Sequence, residues 1–142
     1  GIDFDDLRSL SSKDYVHKYF VDGELVLTTP AQTSGRRILI GLLGHGAKPG
    51  RPSVFALDVT DPENFGTGKV LWEFSDPDLV NALGKPVIAK LDSSGNPAVI
   101  IGNGPNGATE RSMLFILNPL TGALIGKVDT GTGSASAPNG LS

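Results

Sequence analysis

The sequence predicts an all-β fold of two four-stranded antiparallel blades, a fragment of a larger irregular β-propeller. Three observations carry this. Nineteen Gly and ten Pro are spread along 142 residues and punctuate short apolar runs, as turns between strands do. Eight such runs follow one another: "ELVLTTP", "RRILIGLLG", "SVFALDV", "KVLWEF", "KPVIAKL", "PAVIIGNG", "MLFILNP" and "ALIGKV". The last four repeat the first four in order, and four strands per unit of ~40–60 residues, with variation held in loops, is the pattern of propeller blades.

The repeat is explicit at the residue level. Gly23, Val26 and Leu27 align with Gly84, Val87 and Ile88 at an offset of 61, and "ILIG" (38–41) aligns with "VIIG" (99–102) at the same offset. "SVFALD" (53–58) aligns with "MLFILN" (113–118) at 60, which pairs Phe55 with Phe115. "GKVLWEF" (68–74) aligns with "GALIGKV" (122–128) at 54, the difference lying in a longer first turn. A single eight-stranded sandwich with accidentally similar halves explains four ordered matches less well.

Taken in order, residues 1–16 form a polar lead-in with a few Leu, suited to a short helix or a loosely held segment. Residues 17–142 form the partial propeller, with blade one at about 17–76, blade two at about 82–131 and a linker to a next blade at 132–142. In "HKYFVDG", Tyr19 and Phe20 precede an Asp22-Gly23 turn, so His17 and these rings are expected to plug the lead-in against the propeller. "ILIGLLG" and "AVIIGNG" are continuous enough to be buried on both faces, with Gly41 and Gly102 where backbones press together. Asp58 and Asn118 are placed to accept turn N–H groups, while Gly68 and Gly122 are expected to supply a left-handed conformation.

Composition excludes several functions. The net charge is −3 and basic residues reach only pairs such as Arg36-Arg37, which offers a nucleic-acid backbone little. No apolar run attains the ~20 residues of a helical membrane span. The absence of Cys excludes disulfides, thiolate metal sites and Cys nucleophiles. His45, in "GLLGHGAKPG", reads as part of a Gly-rich loop, since a metal needs ligands converging from several places. "GNGPNG" (102–107) lacks the Lys-Ser/Thr ending and the helix of a phosphate loop. The carboxylates of "DVTDPEN" and "SDPD" could in principle hydrolyse glycosides, but Asx-Pro turns explain them with fewer assumptions.

Ala56, Asp58, Thr67, Gly68 and Trp72 resemble the tryptophan-docking repeat of quinoprotein-like propellers, A-x-D-x-x-T-G-x-x-x-W, with six extra turn residues. Blade two has Gly126 where the Trp would stand, so Trp72 is expected to be a packing wedge and not a ligand platform.

"HKYFVDG", "VFALDVTDP", "VLWEFSDPDL", "GKPVIAKL", "AVIIGNG" and "NGLS" together resemble the C-terminal propeller of the PilY-type, tip-associated adhesins of type IV pili, over roughly residues 15–142. The resemblance implies a large exported bacterial protein at the cell surface, pilus tip or outer membrane. That protein would be non-enzymatic, serving pilus assembly, attachment and twitching motility. Its partners would be pilus components and surface or host ligands, with self-association through exposed blade edges. It implies no cofactor here, but calcium in a D-x-D-x-D/N-G loop just beyond Ser142. The comparable hairpin, "LDSSGNPAVI", offers only weak metal candidates, Asp92, Ser94 and Asn96, because one carboxylate falls short of a strong calcium site. Part of a quinoprotein-type dehydrogenase remains the alternative. Any export signal is expected upstream or already removed.

Overall fold

The computed structural model describes residues 7–46, 53–91 and 95–141. Eight strands form two antiparallel sheets, each a simple meander. The first contains β1 (Leu25–Leu27), β2 (Ile38–Leu42), β3 (Val54–Asp58) and β4 (Val70–Phe74). The second contains β5 (Val87–Lys90), β6 (Pro97–Gly102), β7 (Arg111–Leu117) and β8 (Leu124–Gly133). Among the described residues of the lead-in, Leu7 and Arg8 are helical and run into a 3-10 turn, Ser9–Ser11, with Leu7, Leu10 and Val16 exposed.

The sheets stack face to face and share one core. Ile38, Ile40, Val54, Ala56 and Trp72 from the first sheet meet Val99, Ile101, Met113, Phe115 and Leu117 from the second. Leu79 and Ala82, on the connection between the sheets, are fully buried in the same cluster. Phe74 and Phe115 meet edge to face with centroids 6.1 Å apart, a geometry aromatic quadrupoles favour.

The alternation of each strand shows which face is core. In β2, Ile38 and Ile40 are fully buried while Leu39 is half-buried. In β6, Val99 and Ile101 are buried while Ile100 is half-buried. The offset of 61 therefore survives in three dimensions, and neither β2 nor β6 has an exposed residue, though burial is less complete on the second face. Among the described residues the core-facing side of each of these strands is the more deeply buried, although Ala98 on the other face of β6 is fully buried too.

The expected pairing of Phe55 with Phe115 is off by one residue. Ile40 lies opposite Ala56, and Ile101, its counterpart in blade two, lies opposite Phe115. Phe115 thus stands in the place of Ala56, and Leu114 in that of Phe55. A one-residue slip exchanges the two faces of a strand, so Phe115 is a core residue and Phe55 is not.

Candidate functional site at the junction of the blades

Trp72 sits where the two sheets meet. It is 8% exposed, and its indole N–H donates to the Pro119 carbonyl of blade two at 3.0 Å. The close packing beneath it is made possible by Gly122, whose φ of +71° is left-handed. A Cβ on Gly122 would lie 2.6 Å from the indole. Asn118 sets up this turn by accepting from the Leu120 and Thr121 N–H groups at 2.9 and 3.2 Å. Gly68 differs from the expectation: it lies in a 3-10 turn, Thr67–Lys69, without a left-handed φ, and a Cβ there would meet nothing within 4 Å.

Asp58 closes blade one more firmly than a turn residue needs to. One oxygen accepts from the Thr60 N–H, the other from Arg36 Nε and Nη2 at 3.1 and 2.8 Å. The Thr60 hydroxyl bond and then the Arg36 guanidinium hold its carboxyl well below the usual carboxylate range.

Blade two answers Trp72 with a charge. The strand ladder sets Trp72 opposite Ala56 and sets Lys127 opposite Phe115, so Lys127, not Gly126, takes the Trp position. Its ammonium lies 5.1 Å from the Phe115 ring centroid and donates to Asp76 at 2.7 Å and to Asp78 at 2.9 Å. Asp78 is 4% exposed, and its other oxygen accepts from the Thr109 N–H and hydroxyl at 2.7 and 2.8 Å. Burial pushes the Asp78 carboxyl up, but the bonds from Lys127 and Thr109 outweigh it and hold the group below its ordinary value. Burial likewise pulls Lys127 down, and its two carboxylate bonds more than offset that. The network ties the inter-blade connection to both β8 and the β6–β7 loop.

The lead-in docks on blade one through its backbone. Asp22 and Gly23 donate N–H bonds to Leu43 and Leu42, and a Cβ on Gly46 would overlap the Phe20 carbonyl. Asp22 also pairs with His45 Nδ1, and the Tyr19 ring stands between His17 and His45 at centroid distances of 4.8 and 5.1 Å. The aromatic plug differs from the expectation at Tyr19, which is 54% exposed; Phe20 is half-buried. The contact is made by backbone and an Asp–His pair more than by buried rings.

Three buried polar residues escaped the sequence reading. Asn103 is fully buried, donates to the Arg111 carbonyl at 2.8 Å and accepts from the Met113 and Leu141 N–H groups. "GNGPNG" is thus the seat of the C-terminal segment: Gly104 N–H also bonds the Leu141 carbonyl, and a Cβ on Gly102 would lie 2.3 Å from that oxygen. Gly41, by contrast, is crowded by the Phe55 ring of its own sheet and not by another backbone. Thr28 and Thr33 share a hydroxyl bond of 3.0 Å that closes the β1–β2 connection. Asp92 and Ser94 lie outside the described residues, while Asn96 follows Gly95 in the β5–β6 hairpin, closed by its carbonyl accepting from the Leu91 N–H. No group of three or more acidic or His side chains suited to a metal occurs among the described residues.

The comparisons agree with the geometry. Residues 2–142 match the family model described as the PilY1 beta-propeller domain. A type IV pilus biogenesis factor PilY1 homolog of Xylella fastidiosa is 41% identical over 131 residues, 89% of this chain and 9% of that protein. The type IV pilus biogenesis factor PilY1 of Pseudomonas aeruginosa PAO1 is 37% identical over 146 aligned residues, 98% of this chain and 12% of that protein. The crystal structure of the Pseudomonas aeruginosa PilY1 C-terminal domain superposes with a TM-score of 0.70 at 38% identity, covering 86% of this chain and 24% of that one. The chain spans only about a tenth of the curated relatives it matches. On the family match, the repeat and the paired four-stranded sheets, this chain belongs to the PilY1 β-propeller family.

Proposed function

We propose that these residues are a non-enzymatic, load-sharing part of a type IV pilus biogenesis protein that supports surface attachment and twitching motility. The observation that carries this is the match of residues 2–142 to the PilY1 propeller model, with relatives named as pilus biogenesis factors. The chemistry of the junction supports it. Its polar groups are spent on each other: Trp72 on Pro119, Lys127 on Asp76 and Asp78, Asn103 on Arg111, Met113 and Leu141. Such mutual bonding suits a rigid scaffold, and an enclosed Trp72 offers no platform to a quinone.

On this reading the protein is exported to the cell surface, contacts pilus components, and reaches surface or host ligands through regions outside this segment. Calcium belongs to a carboxylate-rich loop past Ser142. In the source bacterium, excising this segment in frame from the full-length gene should abolish surface pili and twitching while the truncated protein is still exported. Normal piliation and motility with the segment gone would refute the reading. Appearance of quinone absorbance and alcohol oxidation in the purified full-length protein would move it to the dehydrogenase class.

A further inference from the structure

Asn-Gly occurs three times in the chain, at Asn103-Gly104, Asn106-Gly107 and Asn139-Gly140. The pair is chemically labile, because glycine has no side chain to keep its backbone nitrogen away from the neighbouring amide. Attack forms a bond from the glycine N to the asparagine Cγ, and Nδ2 leaves as ammonia, taking up the displaced N–H proton. Water then opens the resulting succinimide. Opening at the side-chain carbonyl gives Asp. Opening at the main-chain carbonyl gives a β-aspartyl link, with an extra carbon in the backbone.

The fold sorts the three pairs. Asn103 is fully buried, its amide is engaged by Arg111, Met113 and Leu141, and the Gly104 N–H that would attack donates to the Leu141 carbonyl at 2.8 Å. Asn106 is exposed, but Gly107 is buried against the Asp78 backbone, where a Cβ would lie 2.7 Å from the carbonyl oxygen. The next N–H, that of Ala108, donates to the Pro77 carbonyl at 3.0 Å and fixes the turn further. Asn139 is exposed, and the Gly140 N–H donates to Asn139 Oδ1 itself at 2.9 Å. That bond holds the attacking nitrogen beside the carbon it must reach, which is a near-attack arrangement. We propose that Asn139 is a self-modification site, converting through a succinimide to a β-aspartyl link that frees the C-terminal segment from the β6–β7 loop. The release follows from where the segment is anchored. Asn139 N–H donates to the Glu110 carbonyl at 3.1 Å, while the Leu141 N–H and carbonyl are held by Asn103 and Gly104 at 3.2 and 2.8 Å. The added carbon falls between these anchors and puts them out of register. The proposal does not depend on the pilus reading above.

The test follows the whole chain in dilute solution at mildly alkaline pH, which favours loss of the attacking N–H proton. Peptide mapping by mass spectrometry reads the exchange of NH for O at each asparagine, and a protein-isoaspartate methyltransferase detects the β-aspartyl link. In the folded chain Asn139 should convert about tenfold faster than Asn106, with Asn103 slowest, and in urea the three rates should converge. Once the β-aspartyl link has formed, hydrogen-exchange protection of the Leu141 and Gly104 amides should be lost. Freshly purified Asn139→Asp, which gains the charge but no backbone carbon, should keep that protection. Conversion at Asn139 no faster than at Asn106 in the folded chain overturns the proposal. Protection retained in the β-aspartyl chain overturns the release, as does its loss in Asn139→Asp.

Discussion

Trp72 donates to Pro119 across the junction, and its ring occupies the space a side chain at position 122 would need. Truncating it to Ala removes a wedge shared by both sheets, so Trp72→Ala should cost about 3–5 kcal/mol in urea denaturation. Trp72→Phe keeps most of the area and loses the hydrogen bond, for a smaller loss of about 1–2 kcal/mol. Equal losses in the two variants would mean that the ring does not pack as described. Asp78 and Lys127 make the second residue-scale prediction, through pH. A carboxylate held below its unfolded value near 3.8 contributes fully above that value, and the contribution drains away as pH falls through the lowered folded one. A raised ammonium behaves in mirror image, contributing fully below 10.5 and losing that contribution as pH climbs through the raised folded value. Unfolding midpoints should therefore fall below about pH 4 more steeply in the native chain than in an Asp78→Asn/Lys127→Met variant. Identical slopes in the two would remove this network from the account.

At the scale of elements, the two closing turns look alike in sequence and behave differently. Gly122 needs its positive φ and its missing Cβ, whereas Gly68 needs neither. Gly122→Ala should destabilise the chain by well over 1 kcal/mol, through strain and collision with Trp72, while Gly68→Ala should be neutral or slightly stabilising. Thermal melts of the two single variants decide this, and parity between them would contradict it. The same comparison shows how far sequence reaches. The strands and their order were legible, because apolar runs bounded by Gly, Pro, Asn and Asp repeat at a nearly constant offset. The register of β3 against β7 was not, since "VFAL" and "MLFIL" lack a polar residue to mark which face is which. Lys127 was illegible for a related reason: a charge on a strand ordinarily signals solvent, and only the ladder places it opposite Phe115 between two carboxylates. Asn103 and the Thr28–Thr33 pair were hidden inside segments whose composition signals turns, which says nothing about burial.

For the whole molecule, the faces turned away from the shared core remain apolar. Leu25, Leu27 and Val87 are about half exposed on the edge strands β1 and β5, and Leu124, Ile125 and Val128 are comparably exposed on the opposite edge strand β8. Unpaired edges and uncovered apolar faces recruit other chains. The isolated 142-residue chain should accordingly associate at micromolar concentration, and Val87→Lys with Val128→Lys should shift light scattering toward monomer. A native chain that is monomeric at high concentration would contradict this. The stacked sheets and the linker residues Leu79 and Ala82 share one core, so the two blades should unfold as a single cooperative unit. That joint core is the central claim, and it has a direct measurement. Trp72, the only tryptophan, reports the junction by fluorescence, and hydrogen exchange of the β2 and β6 amides reports each sheet. In dilute solution the account predicts one urea midpoint common to all three signals. Separate midpoints for β2 and β6, with Trp72 following one sheet alone, would show two independent blades and contradict it.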